Sequence, residues 1–202
     1  MSPFPRPLIL ASASKSRANL MRAAGLQFEV VPAHVDEDAI KASMKAEEAS
    51  AADCALALAE FKAGTVSQRH PEALVIGADQ MLDCGGIWFD KPKDVAGARN
   101  HLLTLRGKTH LLPTSVAIAL NGAPIWHHTA TPRLTVRPFS DAFIDGYLAA
   151  VGDAVTSSVG AYHLEGRGAQ LFSKVDGDFF TILGLPLLEL LAFLREHRIV
   201  PI

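Results

Sequence analysis

The sequence that decides the fold is PLILASASKSRANLM, residues 7–21. Its apolar first part ends at three hydroxyl residues and an arginine, which are Ser12, Ser14, Ser16 and Arg17. This order predicts a buried strand, a tight polar loop and then a helix from Arg17. The N–H groups of a helix start, the hydroxyls and a guanidinium can together bind an anion such as phosphate. The alternative is a serine-capped helix with a solvated arginine, which fits the segment better when the segment is taken alone.

Length and composition limit the possible classes of protein. The 202 residues can bury a sizeable core, as one large domain or two tight lobes. With 49% hydrophobic and 20% charged residues, the composition is that of an ordinary globular protein. The net charge of −2 provides no bulk positive field, which argues against nucleic acid as the main partner. A phosphate ligand would therefore need local basic residues.

Two further features bear on location. Cys54 and Cys84 are far apart and have no CxxC spacing, so we expect neither a disulfide framework nor a zinc site. Reduced, packed cysteines are typical of a cytoplasmic protein. The apolar run at residues 8–11 is too short for a signal-peptide core, and no apolar run approaches the length of a membrane span. We therefore expect no membrane partner.

The first catalytic candidate is Asp79. It follows LVIGA, residues 74–78, a continuous apolar run that is typical of a strand covered on both faces. The carboxyl end of such a strand is where α/β proteins place ligand chemistry. A structural aspartate there would more often cap a turn, but the apolar pattern continues to Leu82, so a turn is not required.

Other charged residues allow two interpretations each. The acidic loop at residues 34–38 could cap a helix at 39–44 or bind a divalent cation. Lys62 lies near the end of a predicted helix, where lysines usually complement the helix dipole. Lys91 precedes Pro92, which favours an extended backbone and a projecting side chain, in a functional role or as surface charge.

The remaining pattern alternates helices, strands and turns. A helix is predicted at residues 95–105, and two strands, 109–120 and 124–139, are joined by the hairpin signal Asn121-Gly122. Further segments are a helix at 47–63, a helix at 140–151, the glycine-rich stretch VGAYHLEGRG at 159–168 and a closing helix at 185–196. Asp178, in the turn before the closing helix, could be a ligand, but turn chemistry explains it as well.

Several stretches, taken together and in order, resemble the Maf family of nucleotide pyrophosphatases. The matching segments are LASASKSR, Asp36-Glu37, the helix ending at Lys62, Gly77-Ala78-Asp79-Gln80, Asp90-Lys91-Pro92, Leu105-Arg106-Gly107 with His110 and Thr114, VGAYHLEGRGA and GDFFTILGLPLLEL. Each is weak by itself, but the ordered set spans nearly the whole chain and is specific.

The resemblance implies a mixed α/β fold with a strongly curved central sheet in two lobes flanked by helices. The active site would lie in the cleft between the lobes, and residues 1–202 would form a single domain without a separable linker. The implied reaction is hydrolysis of a nucleoside triphosphate to the monophosphate and pyrophosphate with a divalent cation, typically Mg²⁺. Family members are cytosolic and often dimeric, so a homodimer is expected.

The resemblance also implies roles for individual residues. Ser12 and Arg17 would contact the phosphates, and Lys62 and Lys91 would neutralise the developing pyrophosphate. Asp79 would be the general base or a metal-linked activator of water. Asp36 or Glu37 would lie near the metal. Gln80 and Glu165 would bind the substrate, with Glu165 also near the metal and the water.

The chain departs from the family pattern in the first loop, and it mixes features of different family branches. The family loop commonly reads Ser-Pro-Arg-Arg, whereas Lys15 and Ser16 stand here in place of proline and the first arginine. Gln80 and Glu165 resemble the branch that hydrolyses 7-methyl-GTP. The segment Gly160-Ala161-Tyr162 instead resembles the branch acting on dTTP and UTP, while Ser158 stands where one branch carries a lysine. The preferred base therefore stays open.

Two other classes of function remain at this stage. The chain could be a nucleotide-binding regulator of cell division with little hydrolysis, although a pure binder would not need Asp79, Lys62 and Lys91 together. It could also be an ordinary α/β binding module whose acids and lysines are surface residues. Pyrophosphate release from a panel of nucleotides would separate these possibilities.

Overall fold

The computed structural model describes residues 6–200. The strands are β1 (Leu8–Leu10), β2 (Glu29–Val30), β3 (Leu74–Gln80), β4 (Leu82–Cys84), β5 (Ile87–Phe89), β6 (Thr109–Leu111), β7 (Thr114–Leu120), β8 (Ala123–Ala130), β9 (Arg133–Val136) and β10 (Phe172–Asp176). The α-helices are α1 (Lys15–Ala23), α2 (Glu37–Ala46), α3 (Ala51–Ser67), α4 (Val95–Leu105), α5 (Asp141–Val151), α6 (Phe179–Ile182) and α7 (Leu187–Glu196). Two 3₁₀ helices, Gly152–Ser157 and Arg167–Leu171, lie between α5 and β10.

The strands form two five-stranded sheets, each the centre of one lobe. The first sheet has the order β2-β1-β3-β7-β8, with β1 parallel to β2 and β3 and with β7 antiparallel to β3 and β8. The second has the order β10-β9-β6-β4-β5 and is antiparallel throughout. This mixed α/β architecture in two lobes confirms the fold class expected from the sequence.

Three stretches of chain pass from one sheet into the other. Only Met81 separates β3 from β4, and short proline-containing segments separate β6 from β7 and β8 from β9. Across the bend, the Met81 N–H donates to the Pro113 carbonyl and the Leu112 N–H donates to the Pro132 carbonyl, both at 2.9 Å. The two sheets are therefore halves of one strongly bent surface, and each of the predicted strands 109–120 and 124–139 is in fact two strands.

Helices cover both faces of the first sheet. Leu74, Ile76 and Ala78 of β3 pack into a core with α1 and α7, whereas Val75 packs on the opposite face with Val66 of α3. Burial on both faces explains the continuous apolar run, because neither side of the strand meets water. The core of the second lobe is formed by β4, β5 and β9 with α4 and α5.

Side-chain caps set the helix boundaries that the sequence pattern misplaced. The helix predicted at 47–63 begins at Ala51, because Ser50 and Asp53 form a reciprocal capping box at its start. The first helix begins at Lys15 rather than Arg17, since the Ser14 hydroxyl accepts the Arg17 N–H. Between residues 6 and 200, no helix is both long and apolar enough to cross a membrane.

Candidate functional site

A cavity of about 770 Å³ opens between the two lobes, beside the bend in the sheet. One wall consists of the loop after β1 together with the start of α1 and residues from α2, α3 and β3. The other wall comes from residues 157–165, with Lys91 and Lys93 at the edge. A volume of this size fits a nucleotide-sized ligand.

The cavity contains a bridge of one lysine between two carboxylates. Lys62 Nζ lies 2.5 Å from Asp79 Oδ1 and 2.7 Å from Glu37 Oε1. Lys62 and Asp79 are each only 7% exposed, and both face the cavity. Burial alone would raise the pKa of Glu37, but the hydrogen bond and charge of Lys62 outweigh it and lower that pKa. Glu37 is therefore ionised at neutral pH and offers oxygen to a cation.

Arg17 is held in a fixed position by the Gly184 carbonyl and by the loop after β1. Its Nε–H donates to the Gly184 carbonyl at 2.8 Å, and its Nη1–H donates to the Ser12 hydroxyl at 3.2 Å. Burial lowers the pKa of Arg17, while the charges of Asp79 and Glu37 oppose that shift. A guanidinium with such a high ordinary pKa stays charged, so it presents a fixed positive charge to the cavity.

Two lysines face the cavity from different elements. Burial would lower the pKa of Lys41, but its 2.6 Å hydrogen bond to Asp90 Oδ1, together with nearby acids, raises it. Burial and the positive charges of Arg17 and Lys62 lower the pKa of Lys91. Lys41 was missed at the sequence level; its position four residues after Glu37, on one face of α2, was the available signal.

Gln80 is held by its amide nitrogen. Nε2 donates to the Thr114 hydroxyl at 2.8 Å and lies 3.1 Å from the carbonyl oxygens of both Thr181 and Ile182. The Thr114 hydroxyl donates to the Leu112 carbonyl, so it can only accept from Gln80. These partners fix which end of the amide is nitrogen and leave Oε1 as the acceptor that Gln80 can offer a ligand.

The second-lobe wall is a tight loop closed by Ser158. The Ser158 hydroxyl accepts the Tyr162 N–H and donates to the Tyr162 carbonyl, and Ala161 between them adopts a φ of 59°. Tyr162 is buried, which raises the pKa of its phenol, and its hydroxyl lies 2.8 Å from His110 Nε2. Burial lowers the pKa of His110 to about 4, so the ring is neutral at pH 7.

The residues proposed from the sequence lie close together, with one exception. The cavity lining includes Asp79, Lys62, Lys91, Ser12, Arg17, Gln80, Glu165 and Glu37. Glu165 lies on the second-lobe wall, where its Oε1 is 3.7 Å from His163 Nδ1. Asp36 does not line the cavity, because its carboxylate turns back to accept the Ala39 N–H and caps α2.

The donor set fits a divalent cation that arrives with phosphate. Within residues 6–200, no group of three or more His, Cys, Asp and Glu side chains is arranged to hold a metal ion. Mg²⁺ bound with a nucleotide needs only one or two carboxylates, because phosphate oxygens and water complete its ligands. Glu37 and Asp79, joined through Lys62, meet that requirement.

The cavity itself carries no net charge. Its lining contains five basic side chains and five acidic ones, which are Arg17, Lys41, Lys62, Lys91 and Lys93 with Glu37, Asp38, Asp79, Asp90 and Glu165. A triphosphate alone would therefore leave the site strongly negative, and a divalent cation would offset part of that charge.

Comparison with known proteins gives a consistent result. The family model described as Maf-like protein matches residues 7–197. The nucleoside triphosphate pyrophosphatase of Paramagnetospirillum magneticum is 58% identical over 194 residues, covering 96% of this chain and 100% of that protein. The 7-methyl-GTP pyrophosphatase of Rhizobium etli is 50% identical over 189 residues, covering 94% and 95%. The resemblance seen in the sequence motifs is thus confirmed, and the chain belongs to the Maf family.

Proposed function

We propose that this chain hydrolyses a nucleoside triphosphate to the nucleoside monophosphate and pyrophosphate. The observation that carries the proposal is the juxtaposition, in one cavity, of the Asp79–Lys62–Glu37 bridge with the cations Arg17 and Lys91. Phosphate-binding cations and a rigidly held carboxylate are the groups that this reaction needs. The names of the relatives, which describe nucleoside triphosphate pyrophosphatases, support the same activity.

Each group has a proposed role. Arg17 and Ser12 hold the phosphates, so that the α-phosphorus faces Asp79. Asp79 Oδ1 is bound by Lys62, and the Asp79 carboxylate takes the proton from the attacking water. The new bond forms between the water oxygen and the α-phosphorus, and the bond to the bridging oxygen breaks. Lys62 and Lys91 offset the charge of the departing pyrophosphate.

Glu37 is the proposed ligand of a divalent cation, with Mg²⁺ as the first candidate, and Asp79 would be the second ligand if it activates the water through the metal rather than as the base. When bound, the cation would neutralise phosphate charge and polarise the phosphorus–oxygen bonds. The expected result is that EDTA abolishes hydrolysis and that added Mg²⁺ restores it. Activity that survives thorough EDTA treatment would contradict the metal requirement.

The test of the reaction is product analysis with a panel of nucleotides. We expect pyrophosphate as the first product, because the cations in the cavity exceed what a single γ-phosphate needs. Orthophosphate as the first product would overturn the proposal. Nucleotide binding without any hydrolysis would instead favour the regulatory role in cell division considered above.

We propose a modified purine triphosphate such as 7-methyl-GTP as the preferred substrate. Gln80 and Glu165 support this choice through the resemblance, and so does the name of the relative from Rhizobium etli. Side-by-side kinetics with 7-methyl-GTP, GTP, dTTP and UTP decide it. A large preference for dTTP and UTP would mean that Tyr162 and its neighbours determine the base.

The wider setting is proposed on separate grounds. Three stretches of chain shared by both lobes support one domain, and two buried free cysteines support the cytoplasm. The net charge of −2 supports a small-molecule substrate rather than nucleic acid. A homodimer is proposed from the family resemblance alone, and light scattering after gel filtration tests it.

A further inference from the structure

Four successive backbone carbonyls, at residues 181–184, hold three side chains of the candidate site. Those of Thr181 and Ile182 lie 3.1 Å from Gln80 Nε2. The Leu183 carbonyl accepts from the Ser16 hydroxyl at 2.9 Å, and the Gly184 carbonyl accepts from Arg17 Nε at 2.8 Å. The segment at residues 181–184 thus contacts both the start of α1, which follows the loop after β1, and the end of β3.

These carbonyls can accept hydrogen bonds from side chains because they lie at and just after the end of a helix. The last carbonyls of a helix have no N–H partner further along it, and they carry partial negative charge. Here the Thr181 carbonyl also accepts the Gly184 N–H at 2.9 Å, and side chains far away in sequence supply the other donors, including a guanidinium. Ile182, Leu183 and Gly184 line the cavity, but residues 181–184 carry no charged side chain. The charged contact with a phosphate would therefore come from Arg17, which this segment holds.

Asp178 fixes this segment in turn. Its Oδ2 accepts both the Thr181 N–H at 2.7 Å and the Thr181 hydroxyl at 2.8 Å, and Thr181 is only 1% exposed. After the helix, Gly184 takes a φ of 107° and turns the chain, and its position lies against Arg17. The chain of contacts runs from Asp178 to residues 181–184, and from the Gly184 carbonyl to the Arg17 guanidinium.

We propose that Asp178 is a positioning residue for the nucleotide site, acting through the backbone carbonyls of residues 181–184 on Arg17 and Gln80. The inference rests on the proposed function, since the site it serves is the proposed phosphate site. It gives a role to the segment GDFFTILGLP, which none of the proposed catalytic or binding roles uses.

The test compares Asp178→Ala with Asp178→Asn. Both bonds to Thr181 go to one oxygen, so the single amide oxygen of asparagine can replace it, whereas alanine cannot. We expect Asp178→Ala to raise the KM for the nucleotide about tenfold with a small change in kcat, because Arg17 binds ground state and transition state alike. Asp178→Asn should stay near the wild type.

Ser140→Ala is the matched control. Ser140 caps α5, whose residues do not line the cavity, so this variant loses a helix cap without touching the site. An equal rise in KM in Ser140→Ala would overturn the proposal, since it would indicate general destabilisation. An unchanged KM in Asp178→Ala would also overturn it, as would equal effects of alanine and asparagine.

Two further measurements keep the test decisive. In an Arg17→Ala background, Asp178→Ala should add little to the rise in KM, because the coupled partner is gone; full additivity would contradict the link.

Calorimetric binding of inorganic pyrophosphate does not depend on hydrolysis, and Asp178→Ala should weaken it about tenfold while Asp178→Asn preserves it. That pattern without any hydrolysis would refute the proposed function alone. If Asp178→Ala does not fold, Thr181→Val removes one of the two bonds and should raise KM by a smaller factor.

Discussion

A Cβ atom on Gly77 would lie 2.1 Å from the carbonyl oxygen of Ala59, so helix α3 packs directly on the backbone of β3. Asp79 is two residues further along the strand and therefore faces the same helix. Lys62 lies within one turn of Ala59 on that helix, and this close packing brings its ammonium group to the Asp79 carboxylate. The site bridge depends on the absence of a side chain at Gly77.

Gly77→Ala should therefore destabilise the protein by about 3 kcal/mol or more, because backbone atoms of α3 cannot move aside as a side chain could. Urea denaturation measures the change. Gly146→Ala is the control: it lies in α5 with nothing within 4 Å of the new methyl group, and it should be neutral or stabilising. Equal stabilities of the two variants would contradict the packing argument.

Asp79→Asn tests the proposed base. The change keeps the shape and removes the charge, so kcat should fall by roughly 10²–10⁴-fold while nucleotide binding persists through Arg17 and Lys91. Steady-state kinetics and calorimetric binding measure the two effects. Asp83→Asn, in the β4–β5 hairpin, should leave both unchanged. Near-normal turnover in Asp79→Asn would remove Asp79 from the mechanism.

Glu37→Gln should raise the Mg²⁺ concentration needed for half-maximal activity, because a cation ligand loses its charge. We expect a shift of about tenfold or more, read from Mg²⁺ titrations at saturating nucleotide. Asp36→Asn provides the neighbouring control, since an asparagine can still cap α2 and the side chain does not line the cavity. The opposite ranking of the two variants would make Asp36 the ligand.

His110 should make stability depend on pH. Its pKa is about 4 in the folded state, against an ordinary value of 6.5, so the unfolded chain binds the proton more readily between these values. The free energy of unfolding is therefore highest above pH 6.5, and it falls by about 3 kcal/mol as the pH falls toward 4. Denaturation midpoints at pH 7 and pH 4.5 should differ more in the wild type than in His110→Gln.

Much of this fold could be predicted because its signals are local. The apolar run of β3 reports burial on both faces, and Asn121-Gly122 reports the turn between β7 and β8. The family resemblance implied a strongly curved sheet, but the strand pattern did not indicate where the sheet bends, because at Pro113 and Pro132 the chain passes into the next strand and its hydrogen-bonding partners change. A strand that moves from one sheet to another looks like one strand in sequence.

Some positions in the site could be predicted from the sequence and others could not. The position of Asp79 was predictable because it lies near the end of the buried strand β3. The partner of Lys41 is Asp90, 49 residues away, so the pair exists only in the folded chain. The support of Arg17 comes from the Gly184 carbonyl, a backbone atom that no residue type reveals. Asp36 was chosen for its charge, but helix capping uses that carboxylate.

The passage of three stretches of chain through both lobes has a consequence for the motion of the cleft. The lobes are joined at Met81, Pro113 and Pro132, and the two hydrogen bonds at the bend tie neighbouring connections together. A rotation of one lobe against the other would have to bend all three connections at once, whereas two domains joined by one linker can rotate about a single segment. We therefore expect a nucleotide to enter and leave with little change in the angle between the lobes.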